Sequence, residues 1–228
     1  EMITTKQLQQ LERLAAKSGI FPEELMENAG KQVHFSIKQK YHTKNKHIII
    51  FAGKGNNGGD GFATAKHFAK ENPTVILFFG NKEKLSDAAR NHYEQIKKNI
   101  NIIKINSKDD LHKFHPQKDI QCIFIDALLG TGVIDDIIDP ISFAIDHYNH
   151  LPATKVSIDI PSGIDPDNEK TFPKSCHADY IITLHDLKPG LEPYKDKTVI
   201  VDIGLPKKSV WKKINQIVVT KTKKFKYV

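Results

Sequence analysis

Eight short apolar runs recur along this chain with helical segments between them, and that alternation constrains the fold more than any other feature. The runs are His47–Ala52, Thr74–Phe79, Ile102–Ile105, Gln121–Asp126, Lys155–Ile160, Tyr180–Leu184, Thr198–Asp202 and Ile217–Thr220. Each is nearly continuous in apolar character, as strands buried on both faces are. Strands and helices in alternation predict a mostly parallel sheet of about eight strands, covered on both sides. Two helices precede the first run. Thr4 and Gln7 form a capping box that opens a helix with the apolar stripe Leu8, Leu11 and Ala15. A second helix starts near Pro22 and carries Met26, Ala29, Val33 and Ile37 on one face. A later one begins at Ser86 and aligns Ala89, Tyr93 and Ile96. There is no internal repeat, low-complexity tract or linker, so residues 1–228 are expected to form a single domain.

Within this frame, the segment Gly53-Lys54-Gly55-Asn56-Asn57-Gly58-Gly59-Asp60-Gly61 follows the first strand. It precedes Phe62, Ala65, Phe68 and Ala69 at helical spacing. Strand, glycine-rich turn and helix aim backbone N–H groups at a phosphate or another polar ligand. Gly53, Gly55 and Gly58 satisfy the dinucleotide pattern G-x-G-x-x-G. A standard NAD site also places a carboxylate at the end of the second strand, where it holds the ribose. Here that strand ends Phe78-Phe79-Gly80-Asn81. A P-loop is excluded as well, because no Gly-Lys-Ser/Thr closes the turn. Asn56, Asn57 and Asp60 among the glycines point to a ligand site rather than to turn chemistry alone.

Two further strand ends repeat the device. Asp126 ends one run before Ala127-Leu128-Leu129-Gly130-Thr131-Gly132, and Asp159 ends another before Ile160-Pro161-Ser162-Gly163-Ile164-Asp165. In open α/β sheets ligands bind outside the carboxyl ends of the strands, so the three loops are expected to converge there. Helix capping explains any one of these aspartates but not all three loops.

Composition narrows the partners. The formal charge is +7, from 34 Lys and Arg against 27 Asp and Glu. The lysines are spread along the chain without an aromatic-and-basic recognition motif. They suit a solvated surface or a field that steers an anionic ligand, not nucleic acid. No apolar run approaches the ~20 residues of a membrane span. Cys122 and Cys176 provide neither a disulfide framework nor a metal pattern. A cytoplasmic location is expected, or a mitochondrial one if a targeting peptide has been removed.

Taken together, these segments resemble the NAD(P)HX epimerase family, also called the YjeF amino-terminal domain. The matching stretches are Met26-Glu27-Asn28-Ala29-Gly30, Gly53 to Gly61, Asp126 to Gly132, Ile158 to Asp165, Ala178-Asp179 with Thr183, Lys188-Pro189-Gly190-Leu191 and Asp202-Ile203-Gly204-Leu205-Pro206. The resemblance implies a three-layer α/β/α Rossmann-like fold, and with a single domain expected, no fused dehydratase domain is expected. It implies an isomerase that interconverts the R and S forms of hydrated NADH or NADPH at C6 of the nicotinamide ring. A separate dehydratase, specific for the S form, then restores the cofactor. It also implies one potassium ion per subunit and a homodimer, with the two amino-terminal helices as the expected interface. Carried over by motif, the hydrate-binding positions are Asn56, Asn57, Gly58, Gly59, Asp60, Gly130, Thr131, Gly132, Val133, Ile134, Asp135, Asp136 and Asp159. The potassium positions are Asn57, Asp126 and Ser162, an amide, a carboxylate and a hydroxyl of the kind a hard cation takes.

Inversion at C6 can proceed by loss of hydroxide with a push from the ring nitrogen, followed by return of water to either face. Such a path needs an acid and a base. Asp159 is the first candidate, and Lys188, in the Lys-Pro-Gly-Leu turn, the second. The bland alternative for Lys188 is an exposed lysine, and for Ser162 a helix cap. His185 is expected to be a surface residue. After Gly132 the chain reads Val133-Ile134-Asp135-Asp136 and lacks the family's usual Arg/Lys-Pro stretch. The rival to the enzyme is a non-catalytic nucleotide-binding or protein-interaction module of the same fold. Such a module would be expected to lose the polar ligand residues, and Asn57, Asp60, Asp126, Asp159 and Ser162 are all present.

Overall fold

Seven of the eight apolar runs form strands, and every pairing between them is parallel. A computed structural model describes residues 2–114, 119–132 and 136–207. The expected strand at Ile217–Thr220 lies outside these residues. In chain order the elements are α1 (Thr5–Lys17), α2 (Pro22–Lys40), β1 (His47–Ala52), α3 (Asn56–Phe68), β2 (Thr74–Phe78), α4 (Asp87–Ile96), β3 (Asn101–Lys104), α5 (Lys108–His112), β4 (Cys122–Ala127), α6 (Ile141–His150), β5 (Thr154–Ile158), β6 (Tyr180–Leu184) and β7 (Thr198–Val201). Two 3-10 segments, Lys82–Lys84 and Pro189–Lys197, follow β2 and β6.

The sheet order is β3-β2-β1-β4-β5-β6-β7. Alternate residues of β1, β2 and β4 enter different cores, as the two-residue period of a strand requires. Ile48, Ile50 and Ala52 pack with α1, α2, α3 and α4. Ile49 and Phe51 join Phe124, Phe143, Ala144 and Tyr148 on the face covered by α5 and α6. The capping box of α1 forms as expected, with Thr4 accepting from the Gln7 N–H and Leu8, Leu11 and Ala15 buried.

One local expectation is corrected. The glycine segment is not a long turn, because α3 begins at Asn56 and takes Gly58, Gly59 and Gly61 into its first turns. None of the glycines from 53 to 61 has a positive φ. They are needed for close approach. A Cβ on Gly53 would lie 1.9 Å from the Leu128 carbonyl oxygen, and one on Gly59 would lie 2.5 Å from the Met26 sulfur. Strand order reverses between β1 and β4, where the chain winds outward in both directions. The crevice above such a switch point is where open α/β sheets hold ligands. Gly53 lets the loops after β1 and β4 meet there.

Candidate active site

A cavity of about 830 Å³ opens over the carboxyl ends of β1 to β6. Its volume lies in the range of small-molecule sites. Its floor is organised by Asp126, the penultimate residue of β4, which is completely buried. The carboxylate Oδ1 accepts from Ser162 Oγ at 2.6 Å and from the Leu128 N–H at 3.2 Å. Oδ2 accepts from Ser157 Oγ and the Ser162 N–H, both at 2.8 Å. Burial pushes this carboxyl above its ordinary pKa, and the four hydrogen bonds oppose the shift. Among the described residues no cationic side chain pairs with it.

Ser162 is therefore not a helix cap. Its Oγ also accepts from the Leu129 N–H at 2.9 Å, and the Leu129 carbonyl accepts from Asn57 Nδ2 at 2.7 Å. The three loops that carry Asn57, Asp126 and Ser162 thus meet around Leu129. The Nδ2 bond fixes the orientation of the Asn57 amide. Its Oδ1 is then a buried acceptor with no hydrogen-bond donor, a costly state for a polar atom. An orphaned amide oxygen, a serine hydroxyl and an unpaired buried carboxylate fit a hard monovalent cation. Among the described residues there is no cluster of His, Cys, Asp and Glu of the kind transition metals take.

Asp159 stands at the end of β5 with φ +67°, a conformation unfavourable for a residue with a side chain. Its Oδ1 is held by the Leu184 N–H at 3.1 Å and by Lys188 Nζ. Lys188 is fully buried, which removes the exposed-lysine alternative. Its ammonium also donates to Thr183 Oγ1 at 3.0 Å and the Leu184 carbonyl at 2.7 Å. All three of its protons are committed. Lys188 does not reach the cavity, whereas Asp159 lies on the wall. Among the described residues, Asp159 Oδ2 has no hydrogen-bond donor. The arrangement is a carboxylate gripped from behind and free in front.

Two other acids share the wall. Asp60, in the second turn of α3, is buried, and Glu12 projects from α1. Burial raises the Asp60 pKa well above its ordinary value, and the charges of Asp159 and Glu12 add to the shift while Lys188 opposes it. Burial also raises Glu12, with the charge of Asp159 adding and Lys188 again opposing. The site therefore holds an ion-paired carboxylate beside two carboxyls that keep their protons to higher pH, the division of labour that acid–base chemistry uses.

Of the expected ligand-binding residues, Asn56, Asn57, Asp60, Gly130, Thr131, Gly132 and Asp159 line the cavity. Gly58 and Gly59 do not; they are packed beneath it. Asp136 is exposed and off the wall. Val133, Ile134 and Asp135 lie outside the described residues. His185 is not a surface residue: its side chain is 4% exposed, its φ is +71°, and burial lowers its pKa. Glu27, in one of the stretches that match the family, is off the cavity wall and pairs with Lys66 and His67 at 2.7 and 3.0 Å. Sequence reasoning missed Glu12. The available signal was a glutamate one turn after Leu8 and next to Leu11, at the edge of a buried stripe.

The chain is similar to several known proteins. Residues 22–190 match the family model of the YjeF-related protein N-terminus. A protein of Nitrosopumilus maritimus named NAD(P)H-hydrate epimerase is 31% identical over 210 residues, covering 90% of this chain and 95% of that one. A bifunctional NAD(P)H-hydrate repair enzyme Nnr of Archaeoglobus fulgidus is 32% identical over 90% of this chain, which spans 42% of the longer protein. The crystal structure of yeast ynu0 (YNL200c) superposes with a TM-score of 0.76 over 89% of this chain and 88% of that one. At 19% identity, that likeness shows a shared fold.

The Asp126 network yields a stability prediction. Ser162→Ala leaves the Leu129 N–H without its acceptor and takes from Asp126 Oδ1 the closer of its two donors, and is expected to cost about 1–3 kcal/mol in urea unfolding. A loss under 0.5 kcal/mol would show that the hydroxyl does not hold the loops together.

Proposed function

Since this chain belongs to the YjeF-related N-terminus family, we propose that it is an NAD(P)H-hydrate epimerase, interconverting the R and S hydrates at C6 of the nicotinamide ring. The observation that carries this reading is the cavity wall on which Asp159, backed by Lys188, stands beside Glu12 and Asp60. Relatives named NAD(P)H-hydrate epimerase, similar over nearly their full length, support it. The bifunctional repair enzymes support a dehydratase acting on the S hydrate as the functional partner.

The chemistry assigned to these residues is as follows. A protonated carboxyl, Glu12 or Asp60, gives its proton to the C6 hydroxyl as the C–O bond breaks, and water leaves. The lone pair of the ring nitrogen becomes an iminium, whose positive charge faces the Asp159 carboxylate. Water then adds to either face of C6, and a carboxylate takes its proton, so the site returns to its starting state. Lys188 touches none of the reacting atoms. It acts through Asp159, fixing the carboxylate and balancing its charge.

Asn57 Oδ1, Asp126 and Ser162 Oγ are the residues that would hold potassium. The ion would supply charge balance for Asp126 and a fixed shape for the loops under the ligand. Phe21 and Phe35 are 61% and 59% exposed at the start and on the outer face of α2. They support a homodimer through the amino-terminal helices.

Three measurements test this account. Mixed with R-hydrate and an S-specific dehydratase, the protein should speed NADH recovery, and Asp159→Asn should slow that gain by about 10²-fold or more. The rate should fall as pH rises, because Glu12 and Asp60 lose their protons. Glu12→Gln should lower the rate and flatten this decline if Glu12 is the donor. Recovery independent of added protein would defeat the epimerase reading. Second, potassium at ~100 times its Kd should raise the melting temperature by roughly 5–10 °C over an equal concentration of tetramethylammonium. Asp126→Asn should erase the difference, and equal melting of the wild type in both salts would remove the ion. Third, sedimentation should give a dimer for the wild type and a monomer for Phe35→Glu; a wild-type monomer would end the dimer proposal.

A further inference from the structure

The cavity has opposite charge at its two ends. Glu12, Asp60 and Asp159 occupy the end served by α1, α3 and β5, while Lys54, Lys84 and Lys104 line the end beyond β1, β2 and β3. Those three strand tips are neighbours. The Phe79 N–H donates to the Ala52 carbonyl at 2.8 Å, and the Ile105 N–H to the Phe78 carbonyl at 2.9 Å. Lys104 pairs with Phe78 in the parallel register. A Cβ on Gly80 would come within 3.0 Å of Lys54 Cβ, so Lys54 lies against the turn leaving β2. Lys84 ends the 3-10 segment that follows. Asn81 and Asn106 add amides to the same wall.

These three lysines are set apart by sharing the wall of one cavity. Lys38, Lys97, Lys174 and Lys195 each pair with a carboxylate. Among the described residues Lys54, Lys84 and Lys104 have no such partner. Glu83, on the same segment as Lys84, is not on the cavity wall. Asp139, from the connection before α6, is on the wall but forms no ion pair with the three. Three lysines without carboxylate partners lining one end of a cavity leave positive charge there for a ligand to neutralise.

A site that reads a bare ribose 2′-hydroxyl puts a carboxylate at the end of the second strand, and one that takes a 2′-phosphate puts a cation nearby. This chain has Phe79-Gly80-Asn81 there, with lysines on both sides. We propose that the Lys54–Lys84–Lys104 end is a phosphomonoester subsite that receives the 2′-phosphate of the adenosine ribose, making hydrated NADPH the preferred substrate over hydrated NADH. The orientation rests on the epimerase reading, which sets the nicotinamide ring at the Asp159 end. In the sheet order β3 and β5 are four strand spacings apart, roughly 19 Å, a distance an extended dinucleotide spans. Lysine suits this role as a mobile point charge that meets a phosphate without requiring a fixed planar geometry.

Calorimetry with adenosine 2′,5′-bisphosphate and with 5′-AMP tests the subsite without the labile hydrate. The wild type should bind the bisphosphate about tenfold more tightly, the scale of one or two charge-assisted hydrogen bonds. Lys84→Ala/Lys104→Ala should abolish that preference. Lys44→Ala/Lys70→Ala, with the same change in net charge at exposed positions on the opposite edge of the sheet, should retain it. Equal binding of both ligands by the wild type would overturn the proposal, as would a preference that survives in Lys84→Ala/Lys104→Ala or is lost equally in the control. Failure of the epimerase reading looks different: neither hydrate is exchanged, while the bisphosphate preference stands.

Discussion

The whole arrangement hangs on one buried carboxylate. Asp126 sits at zero exposure, where an ionised group without a cationic partner costs several kcal/mol even with good hydrogen bonds. Its four donors come from its own loop, from β5 and from the loop beyond β5, so it clamps two neighbouring strand ends into one surface. Through Ser162 and Leu129 the clamp extends to Asn57 and the start of α3. An apolar residue of similar size would pack there at less cost, but it would leave the loops free of one another. A cation beside Asn57 Oδ1 would offset the remaining charge and satisfy the orphaned amide oxygen together, which is why the two features point to the same occupant.

Above that floor, Asp159 and Asp60 show how position in the fold separates the behaviour of like groups. Asp159 ends a strand in a left-handed conformation worth about 1–3 kcal/mol of strain, and the Lys188 ammonium and Leu184 N–H hold it there. Asp60 emerges from a helix packed under α2 and takes no comparable donor, so burial favours its proton. Lys188 serves both, pairing with one carboxylate and opposing the shift of the other. Strain at Asp159 and burial of Lys188 are each unfavourable alone. Their direct pairing is the mark of a site rather than of a scaffold.

Seven strands and the leading helices were legible because hydrophobic period is a local property, as the Leu8, Leu11 and Ala15 stripe of α1 shows. Convergence of the three loops was legible too, since parallel strands send all their carboxyl ends to one edge. What sequence could not reveal was depth. Lys188 follows an ordinary loop pattern, and its burial depends on Thr183 and Leu184 four or five residues back presenting oxygens to it. The enclosure of His185 likewise shows only in the folded chain. Gly58 and Gly59 suggested a turn around ligand, but their role is set by Gly53 and Met26, contacts that only the folded chain brings together. Glu12 was hidden because α1 precedes the sheet, and nothing local says that its polar edge closes the cavity.

The net charge of +7 can now be given an address. Coulomb interaction between exposed groups fades over a Debye length of about 8 Å at physiological salt, so the sum over the chain says little about any one site. What matters is that three of the lysines stand on the rim of a concave, partly apolar wall, where low dielectric strengthens a field, and that Glu12, Asp60 and Asp159 are gathered at the other end of the cavity. A molecule with phosphates at one end and a ring that becomes cationic at the other meets complementary charge at both. A uniform basic surface would attract such a molecule without orienting it. The separation of charge along the strand tips orients it as well, and it follows from the sheet order, because β3 and β5 lie on opposite sides of the switch point.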